Sequence, residues 1–273
     1  MYRSLLFVPG DRPERFAKAV ASGADAVCID LEDAVSPANK RAARNAALDY
    51  LELQAGRKTA VGLRVNAIDR LDGFRDIIAL CESKARPAFV LAPKVRSREP
   101  VDQIRTVLGE NAPPIWALVE TPQALLGVAS IAAGVGPDGG VVFGGADLSA
   151  ALGSDMSWDS LYFARAAIIA GAAMTLCQTL DVPYLDVRDL SGMIEETRRV
   201  KAMGFTGRSC IHPDQVAAIN EIYTPTIEEI EKAQALIDAY ENNAGRVLLH
   251  EGRLVEKPVL AAARRILSRR KRA

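Results

Sequence analysis

The segment VVFGGADLSAALG, Val141 to Gly153, runs from an apolar stretch into small residues, with one carboxylate, Asp147, at the change. A second acid, Glu120, follows the apolar stretch PIWALV and precedes Thr121-Pro122. Neither acid has a histidine or cysteine nearby, so together they form an oxygen-only donor set. Such a pair suits Mg2+, which keeps several waters and takes one or two protein carboxylates plus substrate oxygens; zinc is disfavoured by the same chemistry. Glu120 and Asp147 are therefore the predicted metal ligands. Gly144, Gly145 and Ala146 leave room for something to approach the backbone beside them. Arg64, closing AVGLRV, supplies the complementary charge. It either forms a structural salt bridge with Glu120 or Asp33, or grips a substrate carboxylate bidentately. Mg2+ and Arg64 together would hold a 2-oxo acid and polarise its carbonyl.

Residues so far apart in the chain need a scaffold that brings them together. Short apolar runs alternate with helical patterns, and we read strands at 3–8, 26–31, 60–65, 88–93, 114–119, 141–145, 183–187 and 205–211. These runs are apolar on both faces, as parallel strands covered by helices are. Eight such units predict an α/β fold, a (β/α)8 TIM barrel. The competing reading, an open doubly wound sheet, usually carries a glycine-rich phosphate loop after its first strand. Here that position reads VPGDRPERF, with no such loop.

Barrel enzymes place their chemistry at the C-terminal ends of the strands. By that rule one rim collects Asp30, Glu32 and Asp33 after strand 2, Arg64 and Asn66 from strand 3, and Lys94 after strand 4. Glu120 and Asp147 follow strands 5 and 6, Asp186 and Arg188 strand 7, and His212 strand 8. A single acid at such a place is more often a helix cap, and Asp33, Asp186 and Asp214 all suit that use. The recurrence around the ring is what favours a site.

The chain has 273 residues with 34 basic and 34 acidic side chains, so no global field points to nucleic acid or an anionic membrane. Four well-separated cysteines and an N-terminus without a long apolar core predict a cytoplasmic protein with reduced thiols. The longest apolar run, 166–177, is too short to span a bilayer and reads as a buried helix. Residues 1–222 form the predicted barrel and 223–273 an extension serving as lid or oligomer contact. The extension reads as a helix capped by Thr226, a hairpin turning at Glu251-Gly252 and a last basic helix. Its terminal Arg264, Arg265, Arg269, Arg270, Lys271 and Arg272 are read as a solvated helix end rather than a nucleic-acid arm.

In order, RSLLFVPGDRPERF, AVCIDLEDAV with Lys40 and Ala43-Arg44 downstream, GLRVNA, ALVETPQAL, FGGADLSAALG and GRSCIHPDQV resemble the citrate lyase β-subunit and malyl-CoA lyase family. The fit is best to the CitE-like proteins of the HpcH/HpaI aldolase superfamily. The resemblance implies a modified barrel assembled as a homotrimer or a hexamer, with Mg2+ on Glu120 and Asp147 and a substrate carboxylate on Arg64. It places Glu32 and Asp33 near the metal and its waters, and Phe7, Pro9, Gly10 and Lys40 near the pantetheine or phosphates of CoA. It also implies an acid from a neighbouring subunit's C-terminal segment, in a V-D-x-P context. Here that segment reads Val255-Glu256-Lys257-Pro258, with glutamate in place of aspartate. Arg208 stands where relatives often carry lysine. The pyruvate aldolase branch uses a histidine base near strand 2, and neither His212 nor His250 lies there.

The activity so implied is Mg2+-dependent cleavage of a 3-hydroxyacyl-CoA, of citramalyl-CoA or malyl-CoA type, to acetyl-CoA and a 2-oxo acid. Arg64, Glu32, Asp33 and Glu256 are the candidate catalytic groups, with Asp33 or Glu256 moving the proton. The alternatives are a citrate lyase β-subunit acting on a carrier-bound substrate, and a non-catalytic relative that only binds metal and oxo acid.

Overall fold

Strands buried on both faces need cover inside and out, and a closed ring of parallel strands within a ring of helices supplies it. The computed structural model, which describes residues 1–53, 59–243, 246–250 and 252–270, has this architecture. Its strands are β1 (Ser4–Pro9), β2 (Ala26–Asp30), β3 (Ala60–Arg64), β4 (Val90–Ala92), β5 (Ile115–Val119), β6 (Gly140–Phe143), β7 (Gln178–Asp181) and β8 (Gly207–Cys210). They are parallel and in chain order, and β8 pairs with β1 to close the barrel. The helices α1 (Phe16–Val20), α2 (Lys40–Leu53), α3 (Leu71–Glu82), α4 (Glu99–Leu108) and α5 (Pro122–Leu126) accompany β1 to β5. They are followed by α6 (Val128–Val135), α7 (Gly145–Leu152), α8 (Trp158–Ala172), α9 (Leu190–Met203) and α10 (Asp214–Tyr223).

Side chains alternate across each strand, so parity decides which enter the barrel. Leu5, Cys28, Trp116, Leu118, Val142 and Leu180 share one buried interior cluster with Phe89 and Leu91. The rings of Tyr2, Phe89 and Trp116 lie 5.1–6.0 Å apart in it. Glycines on neighbouring strands give these rings their space. A Cβ at Gly62 would come within 2.3 Å of the Phe89 ring, and one at Gly140 within 2.5 Å of the Trp116 ring. Aromatic volume thus closes the interior below the rim, as side-chain layers do in barrels of this size.

Two expected elements move. Strand 7 is not 183–187 but Gln178–Asp181, and Asp186 and Arg188 lie on the loop before α9. The segment QTLD hides its strand character because its polar ends serve the structure. Gln178 accepts a hydrogen bond from the Tyr2 backbone at 2.6 Å, and Asp181 is fully buried against Arg165 at 2.9 Å. The predicted strand 141–145 ends at Phe143, and the small residues after it form α7, so Asp147 sits in the first turn of a helix rather than at a strand end. Acidic side chains are favoured there by the helix dipole.

The parity that brings Leu180 inside turns Asp181 outward. On that side Asp181 and Arg208, partners in register, join Arg165 of α8 and Glu196 of α9 in a buried ionic network. Arg208 also bonds the Val182 carbonyl at 3.1 Å and Thr197 Oγ1 at 3.0 Å. The departure at Arg208 therefore belongs to the helix–sheet layer and not to the barrel mouth.

The chain divides into two compact units, Met1–Asn220 and Glu221–Ala273. In the second, α11 (Ile227–Asn242) and α12 (Lys257–Arg270) pack around Ala233, Ile237, Val255, Leu260 and Ala263 with the hairpin strands β9 (Leu248–His250) and β10 (Arg253–Val255). Thr226 caps α11 through a reciprocal pair with Glu229. Gly252 holds φ at +76° between the hairpin strands, while Glu251, Lys271 and Arg272 lie outside the described residues. Of the terminal basic residues, Arg264 and Arg265 are exposed and Arg269 is half-buried. Among the described residues no helix is long and apolar enough to cross a membrane.

Candidate active site

Asp30 and Arg64 end β2 and β3 as partners in register, on the interior parity of Cys28 and Gly62. Their side chains meet across the ladder, Arg64 Nε and Nη2 each donating to an Asp30 oxygen at 2.6 Å. The expected alternatives for Arg64, Glu120 and Asp33, are thus corrected to Asp30, with Glu32 second at 3.2 Å from Nη1. Asp30 also accepts backbone N–H bonds from Glu32 at 2.8 Å and Ala34 at 3.1 Å, which folds the β2–α2 loop back over the strand end. Burial by itself would lower the Arg64 pKa, but the Asp30 carboxylate outweighs it and raises it, so the guanidinium stays charged. Asp30 occupies the Nε/Nη2 edge. The Nη1/Nη2 edge, which matches a carboxylate equally well, keeps donors for a ligand.

Glu120 follows β5 directly and is 2% exposed. It stops short of α5 because Thr121 caps that helix, accepting from the Ala124 N–H at 3.1 Å, with Pro122 at the first helical position. The Glu120 side chain crosses Gly144, where a Cβ would lie 2.4 Å from Glu120 Cβ and 2.9 Å from Oε2. That close approach is what the glycine next to β6 permits. Burial pushes the Glu120 carboxyl up to about 8; Lys94 opposes this and a hydrogen bond with Asp147 reinforces it. Asp147 goes the other way: burial would raise it, but hydrogen bonds from Lys94 and Glu120 prevail and hold it below the usual range. The two predicted metal ligands therefore converge on one residue, Lys94, which holds both.

Lys94, after β4, is the hub of the rim. Its backbone N–H donates to Glu120 Oε1 at 2.5 Å. Its ammonium bonds Asp147 and lies 3.3 Å from Asp33 Oδ2, 3.7 Å from Glu120 Oε2 and 3.8 Å from Glu32 Oε1. Burial raises the Glu32 carboxyl to about 7 despite the nearby Arg64. Glu32 Oε2 is buried with no hydrogen bond of good geometry, its nearest cation being Arg64 Nη1 at 3.2 Å.

Asp30, Asp33, Arg64, Glu120 and Asp147 line a cavity of about 340 Å3 with Phe7, Pro9, Leu118, Val142, Val182 and Ile211 as apolar walls. The residues present fit a divalent cation: the donors are all oxygens, Glu120 and Asp147 already converge on one cation, and Glu32 has an oxygen that makes no hydrogen bond. Among the described residues no group of three or more His, Cys, Asp or Glu is arranged to hold a metal, so Glu120 and Asp147 would be the whole protein contribution, as Mg2+ accepts.

The other predicted positions divide. Phe7 lines the cavity and lies under the Arg64 guanidinium, 5.3 Å from ring centre to Cζ. Gly10 donates its N–H to the Asp30 carbonyl at 2.8 Å, and a Cβ there would meet that oxygen at 2.7 Å. The Lys40 ammonium bonds the Leu31 and Glu32 carbonyls at 2.8 and 2.6 Å, bracing the same loop. Glu256 lies in the second unit, exposed, and its carbonyl accepts from the Leu260 N–H in the first turn of α12. Asp186, Arg188 and His212 are not brought to the cavity; Asp186 caps its own loop by accepting from the Arg188 N–H, and His212 is 3.5 Å from Asp214. Asp33 and Asp186 are not helix caps; Asp189 caps α9 instead.

Two contributors escaped the residue-level reading as site members. Asp30 stands on the predicted rim, but its pairing with Arg64 follows only from register. Asp76 of α3 is fully out of reach of a strand-end rule, yet it accepts from Arg44 Nε at 2.6 Å and from the Asn66 N–H and Nδ2 at 2.7 Å each. It thereby anchors the loop that follows Arg64. Arg44 and Asn66 were its only sequence signal.

The family model described as HpcH/HpaI aldolase/citrate lyase matches residues 3–213, and one described as a C-C bond lyase of the TIM-barrel fold matches residues 162–272. A citrate lyase subunit beta-like protein of Mycobacterium tuberculosis (strain ATCC 25618 / H37Rv) is 37% identical, with 97% of this chain and 94% of that protein covered. The mitochondrial citramalyl-CoA lyase of Homo sapiens is 30% identical, covering 96% and 83%. A (3S)-malyl-CoA thioesterase of Cereibacter sphaeroides (strain KD131 / KCTC 12085) is 33% identical, covering 98% and 94%. Among solved structures, the protein CitE from Mycobacterium tuberculosis in complex with magnesium, acetoacetate and coenzyme A superposes with a TM-score of 0.80 at 34% identity over 98% of each chain. The chain belongs to the HpcH/HpaI aldolase/citrate lyase family of TIM-barrel carbon–carbon lyases.

Proposed function

We propose that this lyase cleaves a 3-hydroxyacyl-CoA of the citramalyl-CoA or malyl-CoA type to acetyl-CoA and a 2-oxo acid. The observation that carries the reading is that Glu120 and Asp147, both held by Lys94, line one cavity together with Arg64. Relatives named for citramalyl-CoA and malyl-CoA chemistry, and a solved neighbour holding magnesium, a keto acid and coenzyme A, support it.

Glu120 and Asp147 hold Mg2+ in this reading, with Glu32 accepting from its waters. Bound there, Mg2+ supplies Lewis acidity to the oxygens of the oxo-acid fragment. Arg64 grips the carboxylate of that fragment through its Nη1/Nη2 edge, while Asp30 keeps the guanidinium plane fixed. Phe7 and Pro9 at the cavity wall direct the thioester arm outward, and Lys40 and Gly10 shape the loop it passes. Asp33, the most open acid of the rim at 59% exposure, takes the hydroxyl proton. The carbinol oxygen becomes the new carbonyl, the adjacent carbon–carbon bond breaks, and its electron pair forms the acetyl-thioester enolate. Glu256 returns a proton to the enolate carbon from the extension of a neighbouring subunit in a homotrimer or hexamer.

The test is turnover of citramalyl-CoA and malyl-CoA by the purified protein with Mg2+, with products separated by chromatography. The reading predicts acetyl-CoA and one 2-oxo acid in equal amounts, abolished by EDTA and restored by Mg2+. Release of free CoA with the hydroxy acid intact would instead show thioester hydrolysis. Glu256→Gln mixed with Arg64→Ala should regain activity that each lacks alone if the acid comes from a neighbour, and sedimentation should show three or six copies.

A further inference from the structure

Lys94 combines three features that a simple salt bridge does not need. Its backbone sits at φ +52°, in the left-handed region that residues other than glycine rarely adopt. Its N–H holds Glu120 while its ammonium holds Asp147, so one residue clamps both acids from two directions. And that ammonium lies within 4 Å of Asp33, Glu120 and Glu32 as well.

Charge bookkeeping at the rim makes the third feature decisive. Asp30, Glu32, Asp33, Glu120 and Asp147 face only two cationic side chains, and Arg64 has spent one edge on Asp30. Arg64 also reaches Glu32, at 3.2 Å from Nη1, and Lys94 is the cation that the structure pairs with Asp33, Glu120 and Asp147. A Mg2+ ion bound to Glu120 and Asp147 would sit about 2.1 Å from their oxygens. It would compete with the ammonium for the same Asp147 oxygen, and two cations about 4 Å apart in a half-buried site repel strongly.

We infer that Lys94 is the internal cation of the metal-free protein, an ammonium that holds the acidic ligands together until Mg2+ displaces it. This rests on the reading of Glu120 and Asp147 as the metal ligands. Asp33, already in contact and open to solvent, is the acid that receives the displaced ammonium. A lysine suits this task because its charge rides on a flexible four-carbon stem, which a guanidinium fork held in fixed geometry does not match. The consequence is a metal affinity lowered by an intramolecular competitor, paired with a metal-free site that does not fly apart.

Lys94→Met and Lys94→Gln test it, with Mg2+ binding followed by calorimetry and melting followed in EDTA. Both variants are expected to bind Mg2+ tighter by about tenfold, since the competitor is gone. Without metal they should melt lower by about 4 °C, a gap that closes at saturating Mg2+. A lysine that merely supports the site would weaken Mg2+ binding when removed, so unchanged or weaker binding overturns the inference. The wild-type protein supplies a check that needs no stable variant. Acylation of Lys94 by an amine-selective reagent, read by mass spectrometry, should accelerate when Mg2+ is added and stay constant with Mg2+ in Asp147→Asn. Labelling that ignores Mg2+ in the wild type overturns it. Wild-type protein that binds no Mg2+ defeats the metal-site reading itself, whereas normal wild-type binding with no gain in the variants defeats only the role given to Lys94.

Discussion

Asp30 and Arg64 are register partners on β2 and β3, and the two 2.6 Å bonds between them fix the guanidinium in the barrel mouth. One edge of the fork is spent on Asp30 and the other, with Glu32 3.2 Å from Nη1, keeps donors for a ligand, so the same residue is both scaffold and binding group. Arg64→Lys cannot serve both edges, because an ammonium is a point charge. It should lower kcat/KM for the thioester substrate by about a hundredfold or more, with the larger share in KM. Asp30→Asn should leave the fork poorly held and lower the unfolding free energy by about 2–3 kcal/mol in a urea titration. Wild-type kinetics in Arg64→Lys would show that the open edge binds nothing.

Gly144 is the residue that lets Glu120 lie where it does. Alanine there would place a carbon 2.4 Å from Glu120 Cβ, so the acid or the β6–α7 turn must shift. Gly144→Ala should weaken Mg2+ binding by about tenfold and cost about 1–3 kcal/mol of stability. Calorimetry and denaturation measure the two effects separately. Unaltered Mg2+ affinity would mean that the position of Glu120 does not matter to the metal.

Asp181 ends β7 as Glu120 follows β5, but it faces the helix layer and the buried Arg165. Asp181→Asn should therefore cost about 3 kcal/mol in stability, because it strips a counter-charge from a buried ionic network. The protein that remains folded should keep its kcat/KM. A selective loss of activity at unchanged stability would place Asp181 in the chemistry instead.

Arg3 ties the start of β1 to Asp25 through its backbone N–H at 2.8 Å and its side chain at 2.7 and 2.9 Å. Burial would raise the Asp25 carboxyl, but the Arg3 bonds prevail and hold it below its ordinary value of 3.8. A carboxyl depressed in the folded state contributes stability that is complete above the unfolded value and is lost as pH falls through the folded one. The stability gap between wild type and Asp25→Asn should thus be full at neutral pH and shrink in acid below 3.8. Denaturant titrations across that window decide it, and a gap constant into strong acid would remove the ionic contribution.

The barrel was legible because its strands are apolar on both faces, and the rim acids because polarity resumes where each strand ends. The seventh strand was not, since Gln178, Thr179 and Asp181 are polar for reasons that lie elsewhere: a backbone partner at Tyr2, a paired threonine at Thr206 and an arginine on α8. Asp147 was found as an acid but assigned to the end of strand 6, because the small residues of GADLSAAL did not show the helix α7 that they form. Asp30 and Lys94 were both read on the rim, but their roles needed three-dimensional facts, cross-strand register for one and a left-handed backbone for the other. Asp76 lies outside every strand-end rule and shows itself only through the two partners it joins.

Everything chemical in this account depends on Glu120 and Asp147 sharing one divalent ion beside Arg64. Anomalous diffraction from crystals grown with Mn2+ in place of Mg2+ tests that most directly. The account predicts a single strong peak about 2.2 Å from an oxygen of each acid, absent in crystals of Asp147→Asn. A peak on other residues, or none at the barrel mouth with Mn2+ in excess, would contradict it.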